Sequence, residues 1–295
     1  MTTCSSRPRR PALGYFSKPG NGICHFLHCQ RFARPGKVML GADSHTPTSG
    51  ALGMLAIGSG GLTVAEAALG QGFRMNVPKV MGVKLVGRLH PGVTAKDIAL
   101  ELLRQVSVKG GIGYIVEYCG DGVKELSISE RQTIANMSIE IGAATGIFPS
   151  DERTGEFLKA QRRESDYVPL QPEEGATYDK VVEIDLDRLE PLVAEPSMPD
   201  KVCTARKAEG VKPGSVFIGS CTNASYSDIA RAACILKGHK VHKDIDCTVA
   251  PGSRQVLAQL IKDGVLADLV ESGCRILECA CGPCIGVGQV PPHNG

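Results

Sequence analysis

Three short apolar runs, Val216 to Ser220, Ile245 to Ala250 and Arg275 to Ala280, constrain this chain more than any other feature. Helical patterns follow the first two, and such strand–helix alternation builds parallel βαβ units. In open parallel sheets, ligands gather beyond the carboxyl ends of the strands. Cys221 and Cys281 stand just past the first and third runs. The pattern therefore predicts an α/β piece with a shared site along one sheet edge.

The chain upstream reads as two further regions. The first, to Pro78, is glycine-rich, with a strand at Lys37 to Gly41. Thr63 and Glu66 are spaced as a capping box for a following helix. The second opens with the strand-like run Val80 to Leu89. Thr94 and Asp97 then cap an amphipathic helix with Ile98, Leu102, Leu103 and Val106 on its apolar side. Gly113 to Tyr118 reads as a strand, and Ser129 with Gln132 as the start of a helix reaching Ile141. From Asp151 to Asp200 the sequence turns charged and proline-bearing, apart from a strand-like Lys180 to Ile184, and reads as a linker.

Composition narrows the function classes. A charged share of 22% and a net charge of +2 are ordinary for a globular protein and give no support to nucleic-acid binding. No apolar run is long enough to span a membrane. Twelve cysteines in 295 residues are too few per residue for a disulfide-stapled mini-protein, and no secretory signal opens the chain. A reducing compartment is expected: the cytoplasm, or the mitochondrion in a eukaryote. The acid-free start containing Arg7, Arg9 and Arg10 can be read as a transit peptide or as a ragged beginning.

Cys281-Gly-Pro-Cys284 is a Cys-x-x-Cys pair, and Cys221 stands alone in Gly-Ser-Cys-Thr-Asn. Three readings compete. A thioredoxin-like pair opens a helix, but Ile-Gly-Val-Gly-Gln-Val-Pro-Pro after Cys284 can hardly continue one. A structural zinc site wants four ligands, which Cys279 or Cys274 could complete. An iron–sulfur cluster accepts three thiolates and then leaves one iron open, as a Lewis acid requires. The other nine cysteines read as packing residues.

Three segments together resemble the aconitase family. Gly41-Ala-Asp-Ser-His-Thr-Pro-Thr-Ser-Gly-Ala-Leu-Gly, continuing to Gly61, resembles its Asp-Ser-His signature. Gly219-Ser-Cys-Thr-Asn223 and Ala280-Cys-Gly-Pro-Cys-Ile-Gly286 resemble its two cluster-ligand signatures, and Asn136-Met-Ser-Ile-Glu140 falls between in the matching order. The resemblance runs from Tyr15 to Pro292. It implies aconitase-like α/β/α domains with mixed or parallel sheets around a shared cluster cleft. Residues 1–78 then correspond to part of a first domain, 79–195 to a second with a linker, and 196–295 to part of a third.

The resemblance also implies a hydro-lyase that moves a hydroxyl between neighbouring carbons of a tricarboxylate, citrate to isocitrate. A [4Fe–4S] cluster held by Cys221, Cys281 and Cys284 is the implied cofactor. Hydroxide leaves poorly, so it needs a Lewis acid and a proton donor, and a histidine oriented by a carboxylate suits the latter. The implied pairs are His25 with Asp43 and His45 with Glu140. Asp43, Ser44, His45 and Asn136 are the implied substrate contacts. Asn136 and Glu140, four apart on one predicted helix, can face the same cleft. His28 reads as structural.

Full aconitases are more than twice this long. By that comparison the chain lacks an upstream Asp–His pair with a substrate-binding glutamine, a downstream arginine-bearing segment, and a mobile fourth domain with the base serine. It is expected to be inactive alone, and a separate chain could supply the final domain, as in the related isopropylmalate dehydratases and homoaconitases. Thr46-Pro-Thr48 and Leu55-Ala-Ile-Gly favour citrate and isocitrate over isopropylmalate. A non-catalytic cluster-binding remnant is the alternative outside enzymology.

Overall fold

The structure, a computed structural model, describes residues 14–287. The arginine-rich start lies outside the described residues. In chain order the regular elements begin with α1 (Cys24–Arg31), β1 (Val38–Gly41), β2 (Leu55–Gly58) and α2 (Gly61–Ala68). The central region follows with β3 (Lys79–Val86), α3 (Ala95–Val106), β4 (Tyr114–Cys119), α4 (Ile128–Met137), β5 (Thr145–Ile147), α5 (Glu152–Ala160) and β6 (Lys180–Asp185). β7 (Leu192–Ala194) and β8 (Val202–Thr204) form an antiparallel pair. β9 (Ser215–Ile218), α6 (Tyr226–Leu236), β10 (Asp246–Val249), α7 (Arg254–Lys262), α8 (Val265–Glu271) and β11 (Arg275–Ile276) complete the described chain.

Three parallel sheets result: β1 beside β2, a four-stranded sheet in the order β5-β4-β3-β6, and a three-stranded sheet in the order β11-β10-β9. The expected α/β architecture is therefore present. Among the described residues no helix is long and apolar enough to cross a membrane.

The main core lies on the four-stranded sheet. Thr94 and Asp97 form the reciprocal capping box the spacing predicts, and α3 buries Ile98, Leu102 and Leu103 against Met81, Val83 and Leu85 of β3. Each such side chain contributes roughly 1.5–3 kcal/mol by leaving water. A second core joins α6, α7 and α8 to β9–β11 through Ile229, Val249, Leu260 and Leu269.

Three local expectations fail. Thr63 and Glu66 do not cap α2, which starts earlier, with Gly60 at its N-cap and no side-chain cap. α4 begins after Ser127, which forms its box with Glu130, and ends at Met137; Ser138–Ile141 continue as a 3₁₀ turn. Asn136 and Glu140 therefore do not share one α-helix. Nor are residues 151–200 an open linker. They contain α5, then β6, which realises the strand-like run from Lys180, joins β3 at the edge of the main sheet and buries Val182 and Ile184, and then β7, whose antiparallel partner β8 follows at 202–204.

Candidate active site

β1 delivers Asp43, Ser44 and His45 to its carboxyl end, where a 3₁₀ helix, Thr46–Leu52, begins. Two hydroxyls fix this turn: Thr46 Oγ1 donates to the Asp43 carbonyl at 2.7 Å, and Thr48 Oγ1 to the His45 carbonyl at 2.7 Å. Such local bonds favour turns over continued strand. α1 brings His25 from the other side. It is anchored to the C-terminal region by Ile23 N donating to the Gly252 carbonyl at 2.9 Å and Gln30 Nε2 to Ser253 Oγ at 3.1 Å.

His25 Nε2 lies 3.0 Å from Asp43 Oδ1, which also accepts from the His45 amide at 2.8 Å. An ionised carboxylate only accepts, so the proton between them belongs to Nε2. Burial pushes the His25 imidazole down to about 4, outweighing the opposite pull of Asp43. Burial acts to raise the Asp43 carboxyl, but the His45 amide and His25 hold it below its ordinary value. At neutral pH this pair is a neutral imidazole beside a carboxylate.

His45 makes a second chain of contacts. Its Nε2 is 3.3 Å from Glu140 Oε1, and its Nδ1 is 3.1 Å from Ser44 Oγ. With Glu140 accepting from Nε2, Nδ1 is free to accept from the Ser44 hydroxyl. The two imidazole centroids are 6.3 Å apart, so both expected pairs converge on one cleft. His28 packs edge-on against His25 and Phe32 and stays out of both pairs.

Asn136, expected as a substrate contact, ties two loops together. It is fully buried, its Nδ2 donates to Thr48 Oγ1 at 2.8 Å, and its Oδ1 accepts from Thr222 Oγ1 at 3.1 Å. Through these two bonds it positions the loops that carry His45 and Cys221.

The thiols lie where β9 and β11 end. Ser220 adopts a left-handed backbone, φ 69°, which side chains other than glycine rarely occupy without a functional reason. Cys221 follows, 6% exposed, in a small apolar cluster with Ile23, Phe26 and Ala224, and Cys281 packs against that cluster. Cys281 precedes and Cys284 lies within a 3₁₀ turn, Gly282–Ile285, which stops at a left-handed Gly286 rather than opening the helix of a redox dithiol. Burial and the neighbouring Cys221 thiol push Cys281 up to about 11. Cys221 is raised by burial and by Cys284 and Asp43, and lowered by Asn136 and Ser220.

The match to known proteins is extensive. A model of the aconitase family (aconitate hydratase) covers residues 10–212 and 204–295. A mitochondrial aconitate hydratase from Gracilaria gracilis is 42% identical over 292 residues, 93% of this chain and 37% of that protein. The large subunit 2 of 3-isopropylmalate dehydratase from Archaeoglobus fulgidus is 40% identical over 275 residues, 93% of this chain and 66% of its own. The chain belongs to the aconitase family. Both named relatives are hydro-lyases. Among solved structures, aconitase X from Thermococcus kodakaraensis in its holo form matches with TM-score 0.51 and 14% identity, covering 88% of this chain and 61% of that one; this likeness is of fold. The chain thus spans about 37% of the length of the aconitate hydratases it matches.

The aconitase family uses an iron–sulfur cluster, and the thiols here suit one. Burial and neighbouring thiols raise Cys221 and Cys281, which sit in or against a buried apolar cluster, and Cys284 lies exposed on the same loop as Cys281. Crowded thiols of this kind give up protons to bound iron and relieve their mutual repulsion. One neighbour escapes sequence reasoning. Cys24, read as a packing residue, is exposed, and its sulfur is 3.7 Å from the His25 ring. Its position directly before His25 at the start of α1 is the only sequence signal it offers.

Proposed function

We propose that this chain forms the cluster-bearing and proton-handling part of an aconitate hydratase-type hydro-lyase. The convergence of the His25–Asp43 and His45–Glu140 pairs beside Cys221 and Cys281 is the observation that carries this reading. Cys221, Cys281 and Cys284 are the proposed ligands of a [4Fe–4S] cluster, which when bound supplies an open iron as Lewis acid toward a hydroxyl and a carboxylate.

The chain's own groups manage the proton. Asp43 fixes the His25 tautomer with the proton on Nε2, so His25 orients but, held neutral by burial, does not store a proton at neutral pH. His45 is the better proton carrier. It is part-exposed, its Nε2 is held by Glu140, and its Nδ1 meets the exposed Ser44 hydroxyl. Asn136 ties the His45 turn to the Cys221 loop.

Citrate and isocitrate are the proposed substrates, supported by Thr46-Pro-Thr48 and Leu55-Ala-Ile-Gly. The match to the isopropylmalate dehydratase large subunit supports the second reading. A substrate with three carboxylates needs guanidinium forks, and its carbon-bound proton needs a base. Further protein, in the same or a separate chain, is proposed to supply both.

Anaerobic reconstitution with iron and sulfide tests the core of this reading. Wild type is expected to gain the broad absorption of a cluster, and Cys221→Ser to lose it. No cluster, or one indifferent to Cys221, overturns the reading.

A further inference from the structure

Cys247 and Cys274 lie outside both histidine pairs and outside the proposed cluster ligands. The sequence offers Cys274 as a possible zinc ligand; the structure turns it toward Cys247, in a different apolar cluster from Cys221. Cys247 is in β10, and Cys274 immediately precedes β11. Thr248 pairs with Arg275 in parallel register, so the two cysteines stand side by side one position earlier. Both are buried, in one core with Ile229, Val249, Leu260 and Leu269, and their sulfurs are 3.5 Å apart.

That arrangement meets the geometric needs of a disulfide. Neighbouring strands run about 4.8 Å apart, within the Cα separation of roughly 4.4–6.8 Å that a disulfide spans. Both side chains enter the same core, so closing the sulfurs to a bond of about 2.05 Å needs side-chain rotation and little strand movement. The strands concerned carry the site. β11 is two residues long, with one further bond from Leu277 N to the Val249 carbonyl at 2.8 Å and an ion pair between Arg275 and Asp246. The loop bearing Cys281 and Cys284 follows it. The end of β10 leads to Gly252 and Ser253, which anchor the helix of His25.

We propose that Cys247 and Cys274 close into a disulfide under peroxide, stapling β10 to the strand that carries the thiol loop. β11 is the edge strand and β10 the central one, so Cys274 is the attacking sulfur. It attacks hydrogen peroxide, the O–O bond breaks, and a sulfenic acid and water form. The Cys247 sulfur then displaces the hydroxyl, which leaves as water with the Cys247 proton. Two thiols and one peroxide become one disulfide and two waters. Burial and Cys274 hold the Cys247 thiol above its ordinary value, which suits the resolving partner rather than the attacking one. In a reducing compartment such a bond is transient, formed under oxidant and reopened by thiols. The staple goes beyond the cluster reading and does not rest on it.

The full chain is treated with hydrogen peroxide, its remaining thiols are blocked with iodoacetamide, and it is digested with trypsin without reduction. Cleavage after Lys243, Arg254, Lys262 and Arg275 leaves Cys247 and Cys274 as the single cysteines of peptides 244–254 and 263–275. The two peptides are expected to emerge joined, lighter than their sum by two hydrogens, and to separate with dithiothreitol. Cys247→Ala is expected to abolish the link, and Cys234→Ala, which removes an exposed thiol of α6, to keep it. Oxidised wild type is expected to melt roughly 5 °C or more above its reduced form, with no such rise in Cys247→Ala. Both peptides recovered singly as blocked thiols, while the exposed Cys24 and Cys284 have been oxidised, overturn the proposal. So does either cysteine joined to a third thiol, or a link that forms only in urea. A link with no rise in the midpoint overturns the staple.

Discussion

Thr222 Oγ1 donates to Asn136 Oδ1 at 3.1 Å, so the residue next to Cys221 is tied to a helix 86 positions earlier in the chain. The other end of the same amide holds Thr48, in the 3₁₀ helix that follows His45. One buried side chain therefore fixes the thiol loop and the imidazole turn against each other. Asn136→Ala removes the acceptor of the half-buried Thr222 hydroxyl and the donor to the buried Thr48 hydroxyl, and is expected to cost about 1–3 kcal/mol. The midpoint of urea unfolding checks this, and an unchanged midpoint would remove Asn136 as the tie.

His25 makes stability depend on pH in a definite sense. Its ordinary value is 6.5, and burial brings it to about 4 in the folded chain. Between those values the unfolded chain binds more protons than the folded one, so stability falls as pH falls. The contribution is complete above pH 6.5, is lost progressively down to about pH 4, and amounts to roughly 3 kcal/mol at most. Urea unfolding of the cluster-free chain across this window is expected to show the decline in wild type and a clearly shallower one in His25→Gln. Equal slopes would place the titration elsewhere.

Legibility in the sequence followed the range of the interactions. The α3 box and the strands β9 to β11 could be read because their determinants are local: a Thr–Asp spacing and short apolar runs ending in the site. Two overlapping boxes stood before α4, and Ser127 with Glu130 prevailed because both side chains reach each other's amides there. β6 could be read as the strand-like run Lys180 to Ile184, but its place at the edge of the main sheet could not: Val181 and Glu183 turn outward, and the charged residues around it gave the stretch the look of a linker. The pairings of His25 with Asp43 and His45 with Glu140 came from family resemblance, because no period links residues 18 and 95 apart. The bond of Asn136 to Thr222 had no sequence signal, since Thr222 arrives from another region.

Gly50 marks a backbone crossing that admits no side chain. A Cβ there would meet the Gly146 carbonyl oxygen at 1.9 Å, and the Gly50 carbonyl already accepts from Phe148 N at 2.9 Å. The 3₁₀ helix beneath His45 and strand β5 are thus in direct main-chain contact. Gly50→Ala must push one of them away, and overpacking of this kind costs typically about 1–3 kcal/mol. The upper end is expected, because both neighbours are backbone. A thermal midpoint equal to wild type would show that the crossing can yield freely.

Arg131 is the largest fully buried side chain, and its charge is met by Asp151 through two contacts, 2.9 Å and 2.6 Å. The guanidinium also donates to the carbonyls of Pro149 and Val123 and faces the Phe148 ring at 5.8 Å, while its Nε finds no partner among the described residues. The two partners are unequally placed: the arginine side chain is 0% exposed and the aspartate 28%. Removing Asp151 strands a charge in the interior, which costs about 3–5 kcal/mol, and also removes the N-cap of α5. Removing Arg131 leaves a carboxylate that water can still reach and that can still cap Thr154. Asp151→Ala is therefore expected to be the more damaging single change, and Arg131→Met in the same chain to recover part of the loss, because the stranded charge goes with it. Urea midpoints of the two single variants and the double variant decide the matter. A double variant as unstable as the sum of the singles would mean that the packing of the arginine stem, rather than its buried charge, holds α4 to α5.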